Sequence, residues 1–187
     1  LYGGTYNLLA NTLPRFGITT TFVDPDDPNE FSKAVKSNTR AFFAESLGNP
    51  KLDVIDLKAI SDAAKKAKVP FVVDNTVASP ALLNPIEHGA NIVIHSLTKY
   101  LTGNGTSIGG VIIDAGTFNW GNGNYPEFTE PNPSYHGLNY HDALGNIAFI
   151  AKVRIEGLRD LGSAPSPFNS FQTIQENLWR KAALPPD

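Results

Sequence analysis

Three short strand-like runs, each closed by polar residues and separated by helix-like stretches, constrain this chain more than any other feature. Thr39–Ala44 (TRAFFA) empties into the loop ESLGNP, Val69–Val73 ends at Asp74, and Asn91–Ile94 ends at His95 and Ser96. The last two are continuous apolar runs, which fit strands buried on both faces. Strands alternating with helices predict an α/β fold, a mostly parallel sheet with helices on both faces. Ile18–Val23 (ITTTFV) reads as a further strand running into the turn-rich DPDDPN, and Gly109–Ile113 as another. Asn29–Val35 reads as a short helix after Pro28. Asp56 caps a longer helix whose Leu57, Ile60, Ala63, Ala64 and Ala67 share one face. Its Lys65, Lys66 and Lys68 suit a solvated C-terminal end. Residues 119–135, rich in Gly, Pro, Asn and aromatics, read as a long surface loop. Asp142–Leu161 returns to helical periodicity and stops at Gly162; Pro167–Trp179 reads as a last helix.

Composition narrows the function classes. With 187 residues the chain is long enough for a real core. Fifteen Lys and Arg against eighteen Asp and Glu argue against a polyanion partner, so no nucleic acid is expected. The absence of cysteine removes disulfides, thiolate metal sites and a cysteine nucleophile. No apolar run is long enough to span a membrane and no secretion signal is visible, so the expected compartment is the cytoplasm. The chain starts at Leu1 and contains no methionine, which predicts an excerpt of a longer polypeptide.

The polar residues that close the runs carry the chemistry. In an open α/β sheet, ligands bind outside the carboxyl ends of the strands. Asn49, Asp74 and Lys99 fall there at equal intervals, with Ser96 and Thr98 beside Lys99. Lys99, in HSLTKYLTG, follows a buried strand among hydroxyls. Desolvation there would lower its amine pKa and make it a nucleophile suited to a Schiff base with an aldehyde. Alone, Lys99 reads more simply as a surface lysine, and Asp74 as a helix cap or loop hydrogen-bonder. Together they make a set: a carboxylate for a pyridine nitrogen, an amine for an aldehyde and hydroxyls for a phosphate.

The stretches LYGGTY, AESLGNP, VVDNT and HSLTKYLTGNGTSIGG, in this order, resemble the pyridoxal-phosphate enzymes of cysteine and methionine metabolism. The resemblance runs from Leu1 to about Gln175. It implies the aspartate-aminotransferase-like fold type I, here as an incomplete segment of the large domain. Residues 1–162 would be the core of the cofactor-binding domain, and 163–187 the start of a connection to an otherwise absent C-terminal domain. It further implies that Lys99 forms the internal aldimine with pyridoxal 5'-phosphate and then shuttles substrate protons. Asp74 would pair with the pyridine nitrogen, Ser96 and Thr98 would bind the phosphate, and Asn49 would bond the phenolic oxygen. Tyr2 would stack on the ring and handle protons near the leaving group.

Within the family, the segment GTFNWGNGNYPEFTEPNPSYHG, with ALGNIAFIAKVRIEGLRDLG and SPFNSF, is most similar to the O-acetylhomoserine sulfhydrylase branch. That implies γ-replacement: an amino-acid substrate, O-acetyl-L-homoserine, and sulfide give L-homocysteine and acetate in methionine biosynthesis. A homotetramer built as a dimer of dimers goes with it. Cystathionine γ-synthase, O-succinylhomoserine sulfhydrylase and methionine γ-lyase are the neighbouring readings. A silent binding or assembly module is the reading from another class.

Other signals are set aside. Gly103, Gly105 and Gly109 are one residue too long for a dinucleotide loop and follow Lys99 rather than opening a helix; their expected use is a tight backbone approach. His136 and His141 lack the partners of a zinc site, so no metal is expected. His88 reads as a surface histidine, and His95, beside Ser96, as a sheet-end packing residue or a hydrogen-bonder near the phosphate. Glu45 and Arg154 read as second-layer or core-edge partners.

Overall fold

In the computed structural model, which describes residues 1–183 and the side-chain surroundings of 1–176, strands β1 (Phe42–Glu45) and β2 (Phe71–Asp74) run parallel. Phe42 stands opposite Phe71 and Glu45 opposite Asp74. They belong to the first of two compact units, Leu1–Val93 and Ile94–Asp187.

The first unit opens with α1 (Gly3–Asn7), which continues through wide and tight turns to Phe16. Helix α2 (Pro28–Lys33) is capped by Asp27, whose side chain accepts from the Asn29 amide. Helix α3 (Leu57–Ala67) forms as expected: Asp56 accepts from the Ala59 amide at 2.9 Å, and Leu57, Ile60, Ala63 and Ala64 are buried. These meet Phe42, Phe71 and Val73 of the strands in one core. Burying a side chain such as Ile60 or Phe71 contributes about 1.5–3 kcal/mol. The short α4 (Ser79–Leu82) follows β2. Ser61 donates to the carbonyl of Gly89, where a Cβ would stand 2.3 Å from the Ser61 hydroxyl. The Asn91 amide donates to Phe71 while its side chain accepts from the Phe71 amide. The start of β3 (Ile92–Ser96) therefore lies beside the start of β2, and the two run the same way.

Two strand expectations shift. Ile18–Val23 makes no strand; Ile18 is 53% and Phe22 44% exposed, and the Phe22 ring rests on Tyr6 at 5.1 Å. A β-branched run becomes a strand only where a neighbouring ladder receives it. TRAFFA pairs only from Phe42 onward, because the Thr39 amide is used in a turn closed on Lys36.

In the second unit β3 continues to Ser96, and the Leu97 amide donates to Gly109 at the start of β4 (Gly110–Asp114). The end of one strand beside the start of the next makes this pair antiparallel. Strand β4 forms where a further strand was expected, with Ile112 and Ile113 exposed. Residues 119–135 are mostly exposed turns, as expected of a surface loop, but three of their aromatics are buried. Around α5 (Pro126–Thr129), Trp120, Tyr125 and Phe128 are buried, and Trp120 stacks on Phe128 at 4.4 Å and Phe149 at 5.0 Å. The aromatics scattered among Gly and Pro are a small core of their own. The helix expected from Asp142 is split into α6 (Tyr140–Leu144) and α7 (Ala148–Lys152), the latter running on to Asp160. Gly145 at the break has φ 54 and ψ −122, a conformation that only glycine adopts at little cost.

Helix α8 (Pro167–Ala183) turns its polar edge inward. Asn169 donates to the Ile108 carbonyl, Gln172 accepts from Ser107, and Thr173 bonds Thr102. Phe168, Phe171 and Ile174, spaced three apart, are exposed. Residues 184–187, the end of the expected C-terminal connection, lie outside the described residues. Among the described residues no helix is long and apolar enough to cross a membrane.

Candidate active site

Asp74 ends β2 half-buried, and one of its oxygens is already committed. Oδ1 accepts both the amide of Thr76, at 2.9 Å, and its hydroxyl, at 2.5 Å. An aspartate bonding the chain two residues on is held in one orientation by its own loop. Below it, the Ser46 amide donates to the Asp74 carbonyl, and the Ser46 hydroxyl to Asn75 Oδ1 at 2.7 Å. Asn75 donates onward to the Leu83 carbonyl at 2.8 Å. Ser46 and Asn75 are both buried, so the carboxyl ends of β1 and β2 are fastened by a satisfied polar pair.

Glu45, beside Asp74 in register, is buried and faces two amides. Tyr2 N–H donates to Oε1 at 2.6 Å and Asn49 N–H to Oε2 at 3.1 Å. Asn49 sits exposed in a tight loop closed by the Leu52 amide on Gly48 and the Gly48 amide on Asp53. Tyr2 is half-exposed and begins α1; a Cβ on Gly4 would lie 2.8 Å from its ring, so glycine there leaves room for the ring. The first unit thus brings Tyr2 and Asn49 to one carboxylate and sets Asp74 beside it.

In the second unit, Ser96, Thr98 and Lys99 follow one another at the end of β3. The Thr98 hydroxyl accepts the Gly109 amide at 3.1 Å and faces the Gly109 carbonyl at 3.3 Å. Lys99 breaks the turn Leu97–Leu101 with φ −95 and ψ −121, and its carbonyl accepts the Gly103 amide at 2.7 Å. Its side chain is exposed rather than desolvated, because no residue of the turn that carries it is buried. Gly105 serves conformation rather than a tight approach: its φ is +67 and nothing crowds its missing Cβ.

The acid that burial perturbs most clearly is Asp114, at the end of β4. Its Oδ2 is buried without a hydrogen-bond partner among the described residues. Burial pushes its carboxyl above the ordinary 3.8, against the pull of the Gly116 and Ile150 amides. His141 pairs with Asp142 at 2.9 Å at the surface. Among the described residues no group of three or more acidic or histidine side chains could hold a metal ion.

The sequence reading did not find Thr76, Ser46, Asn75 or the double anchorage on Glu45. Their shared signal is position: each lies within two residues of a strand's carboxyl end, where a polar side chain interrupts an apolar run.

Residues 1–176 match the profile of the family described as Cys/Met metabolism PLP-dependent enzyme. Over 183 residues the chain is 60% identical to the O-acetyl-L-homoserine sulfhydrylase of Leptospira meyeri, covering 94% of this chain and 41% of that protein. Over 178 residues it is 48% identical to the homocysteine synthase of Schizosaccharomyces pombe, covering 94% and 42%. It superimposes with a TM-score of 0.90 and 41% identity on a crystal structure assigned as an O-acetylhomoserine (thiol)-lyase of Campylobacter jejuni subsp. jejuni, covering 95% of this chain and 44% of that one. That structure contains N'-pyridoxyl-lysine-5'-monophosphate. The chain spans about two fifths of the length of the curated relatives it matches.

Proposed function

Since the chain belongs to the Cys/Met metabolism PLP-dependent enzyme family, we propose that it supplies the cofactor-binding core of an O-acetylhomoserine sulfhydrylase. The reaction is γ-replacement. The C–O bond at Cγ of O-acetyl-L-homoserine breaks, acetate leaves, and a C–S bond to sulfide forms, giving L-homocysteine.

One observation carries this reading: each of three successive strands ends in donors of the kinds pyridoxal phosphate requires. The donor chemistry fits. Thr76 ties up Oδ1 of Asp74 and leaves Oδ2 for a protonated ring nitrogen. Thr98 already accepts an amide hydrogen, so its own proton can go to a phosphate oxygen in place of the Gly109 carbonyl. The exposed Lys99 amine is accessible to an aldehyde.

When bound, the cofactor supplies an electron sink for charge developing at the substrate's Cα and Cβ. The rest is done by the chain. Lys99 Nζ anchors the aldehyde carbon, and once displaced carries the protons taken from Cα and Cβ. Asp74 holds the proton on the ring nitrogen. Ser96 and Thr98 fix the phosphate, Asn49 bonds the phenolic oxygen, and Tyr2 covers the ring face and handles protons near the leaving acetate. Residues 1–162 make up the core of the cofactor domain and 163–187 begin the link to a further domain. The enzyme works in the cytoplasm as a homo-oligomer, a dimer of dimers.

The test supplies the holoenzyme with O-acetyl- or O-succinyl-homoserine, each with sulfide or cysteine, and identifies the products. Homocysteine from the acetyl ester and sulfide is expected to dominate. Dominant cystathionine from cysteine, or preference for the succinyl ester, would move the protein to another branch. Borohydride reduction followed by peptide mass spectrometry is expected to leave the pyridoxyl group on Lys99; a preparation that takes up no cofactor would overturn the reading.

A further inference from the structure

Glu45 is a buried acid to which the chemistry above gives no part. A carboxylate is costly to bury unless its oxygens are paired, and here each is: Oε1 with the amide of Tyr2, 43 residues away, and Oε2 with the amide of Asn49, four residues on. Tyr2 and Asn49 both have exposed side chains, so side-chain packing within their unit does little to fix them. Beside the Tyr6 amide on the Tyr2 carbonyl and the loop bonds around Gly48, it is their own amides on Glu45 that tie the two residues to one group. Glu45 is itself fixed, because it ends a strand in register with Asp74, and the next residue, Ser46, bonds both Asp74 and Asn75.

We infer that Glu45 is a positioning residue: one carboxylate that bridges the amides of Tyr2 and Asn49 and so sets the ring-covering aromatic and the phenolic-oxygen donor at a fixed separation. It touches neither cofactor nor substrate. This rests on the roles proposed above for Tyr2 and Asn49, although the bridge itself can be tested without them.

The experiment uses Glu45→Gln and Glu45→Asp. Glutamine keeps one acceptor and presents an NH2 group where the second amide needs an oxygen; aspartate keeps both acceptors on a shorter arm. In the cofactor-free protein, hydrogen exchange at the Tyr2 and Asn49 amides is expected to be slow in the parent. In Glu45→Gln at least one of them should exchange at least tenfold faster. In the holoenzyme, Glu45→Gln should hold pyridoxal phosphate about tenfold less tightly and lose kcat about tenfold, with KM within threefold. Aspartate should restore part of both. Unchanged exchange at both amides with cofactor affinity within twofold of the parent would overturn the inference. If neither variant folds, the parent decides: unprotected exchange at either amide refutes the bridge, and protection at both upholds it. A parent that binds no cofactor yet keeps both amides protected would instead sink the functional reading and leave the bridge standing.

Discussion

Glu45 and Asp74 stand directly opposite each other at the carboxyl ends of two parallel strands, yet their carboxylates are used in different ways. Glu45 spends both oxygens on backbone amides, whereas Asp74 is gripped at one oxygen by Thr76. Removing the Thr76 hydroxyl while keeping its shape isolates that grip. Thr76→Val is expected to weaken pyridoxal-phosphate binding about tenfold, the size of one hydrogen bond to a charged group. Cofactor titration by absorbance measures it; affinity equal to the parent would show that Asp74 needs no such support.

Lys99→Ala removes anchor and proton carrier in one step. Turnover is expected to vanish and the borohydride-stable adduct to disappear with it. Retention of activity within tenfold of the parent would contradict the role given to this amine.

The buried pair of Ser46 and Asn75 should matter for stability. Ser46→Ala leaves Asn75 Oδ1 buried without its donor, which costs about 1–3 kcal/mol. Urea unfolding of parent and variant reads the difference directly, and a change below about 0.5 kcal/mol would mean that the site relaxes or admits water.

Trp120 anchors the aromatic core of the second unit, touching Phe118, Tyr125, Phe128 and Phe149. Trp120→Ala is expected to cost about 3–5 kcal/mol. Trp120→Phe should recover much of that loss, and thermal unfolding would compare the two.

Asp114 sets a pH dependence whose sign follows from burial. Its carboxyl titrates above 3.8 in the folded chain, so the folded state holds the proton more tightly than the unfolded one. The stability this provides is present below the unfolded value and is lost as pH rises through the folded one. Asp114→Asn keeps an acceptor for the Gly116 amide and removes the charge. The melting temperature of the variant relative to the parent should therefore rise as pH climbs out of the carboxylate range and level off above it. A difference that falls with pH would mean that the Gly116 and Ile150 amides outweigh burial.

Much of this was legible in the residues. Helix α3 could be read because capping by Asp56 and a five-residue apolar face are local facts. Strands β1 to β3 could be read because their runs are apolar enough to be buried whichever way they face. Ile18–Val23 misled because strand propensity is local while a partner strand is not. The 119–135 segment was read as a loop, but not its buried aromatics, because Gly and Pro mark turns without saying that the aromatics between them will meet. At the site, the residue types of Asp74, Ser96, Thr98 and Lys99 pointed to a chemistry. The supports were hidden: Thr76 sits two residues from Asp74 in an ordinary-looking loop, the hold of Glu45 on Tyr2 spans 43 residues that no spacing encodes, and the exposure of Lys99 depends on how its turn leaves β3.

Helix α8 has consequences at the bench. With Asn169, Gln172 and Thr173 turned in and Phe168, Phe171 and Ile174 turned out, its amphipathicity is inverted relative to a water-facing helix. These 187 residues purified by themselves should light up an environment-sensitive dye while fully native, and should cling to column matrices and to one another. Fluorescence of that kind would be a property of the fold and no sign of damage.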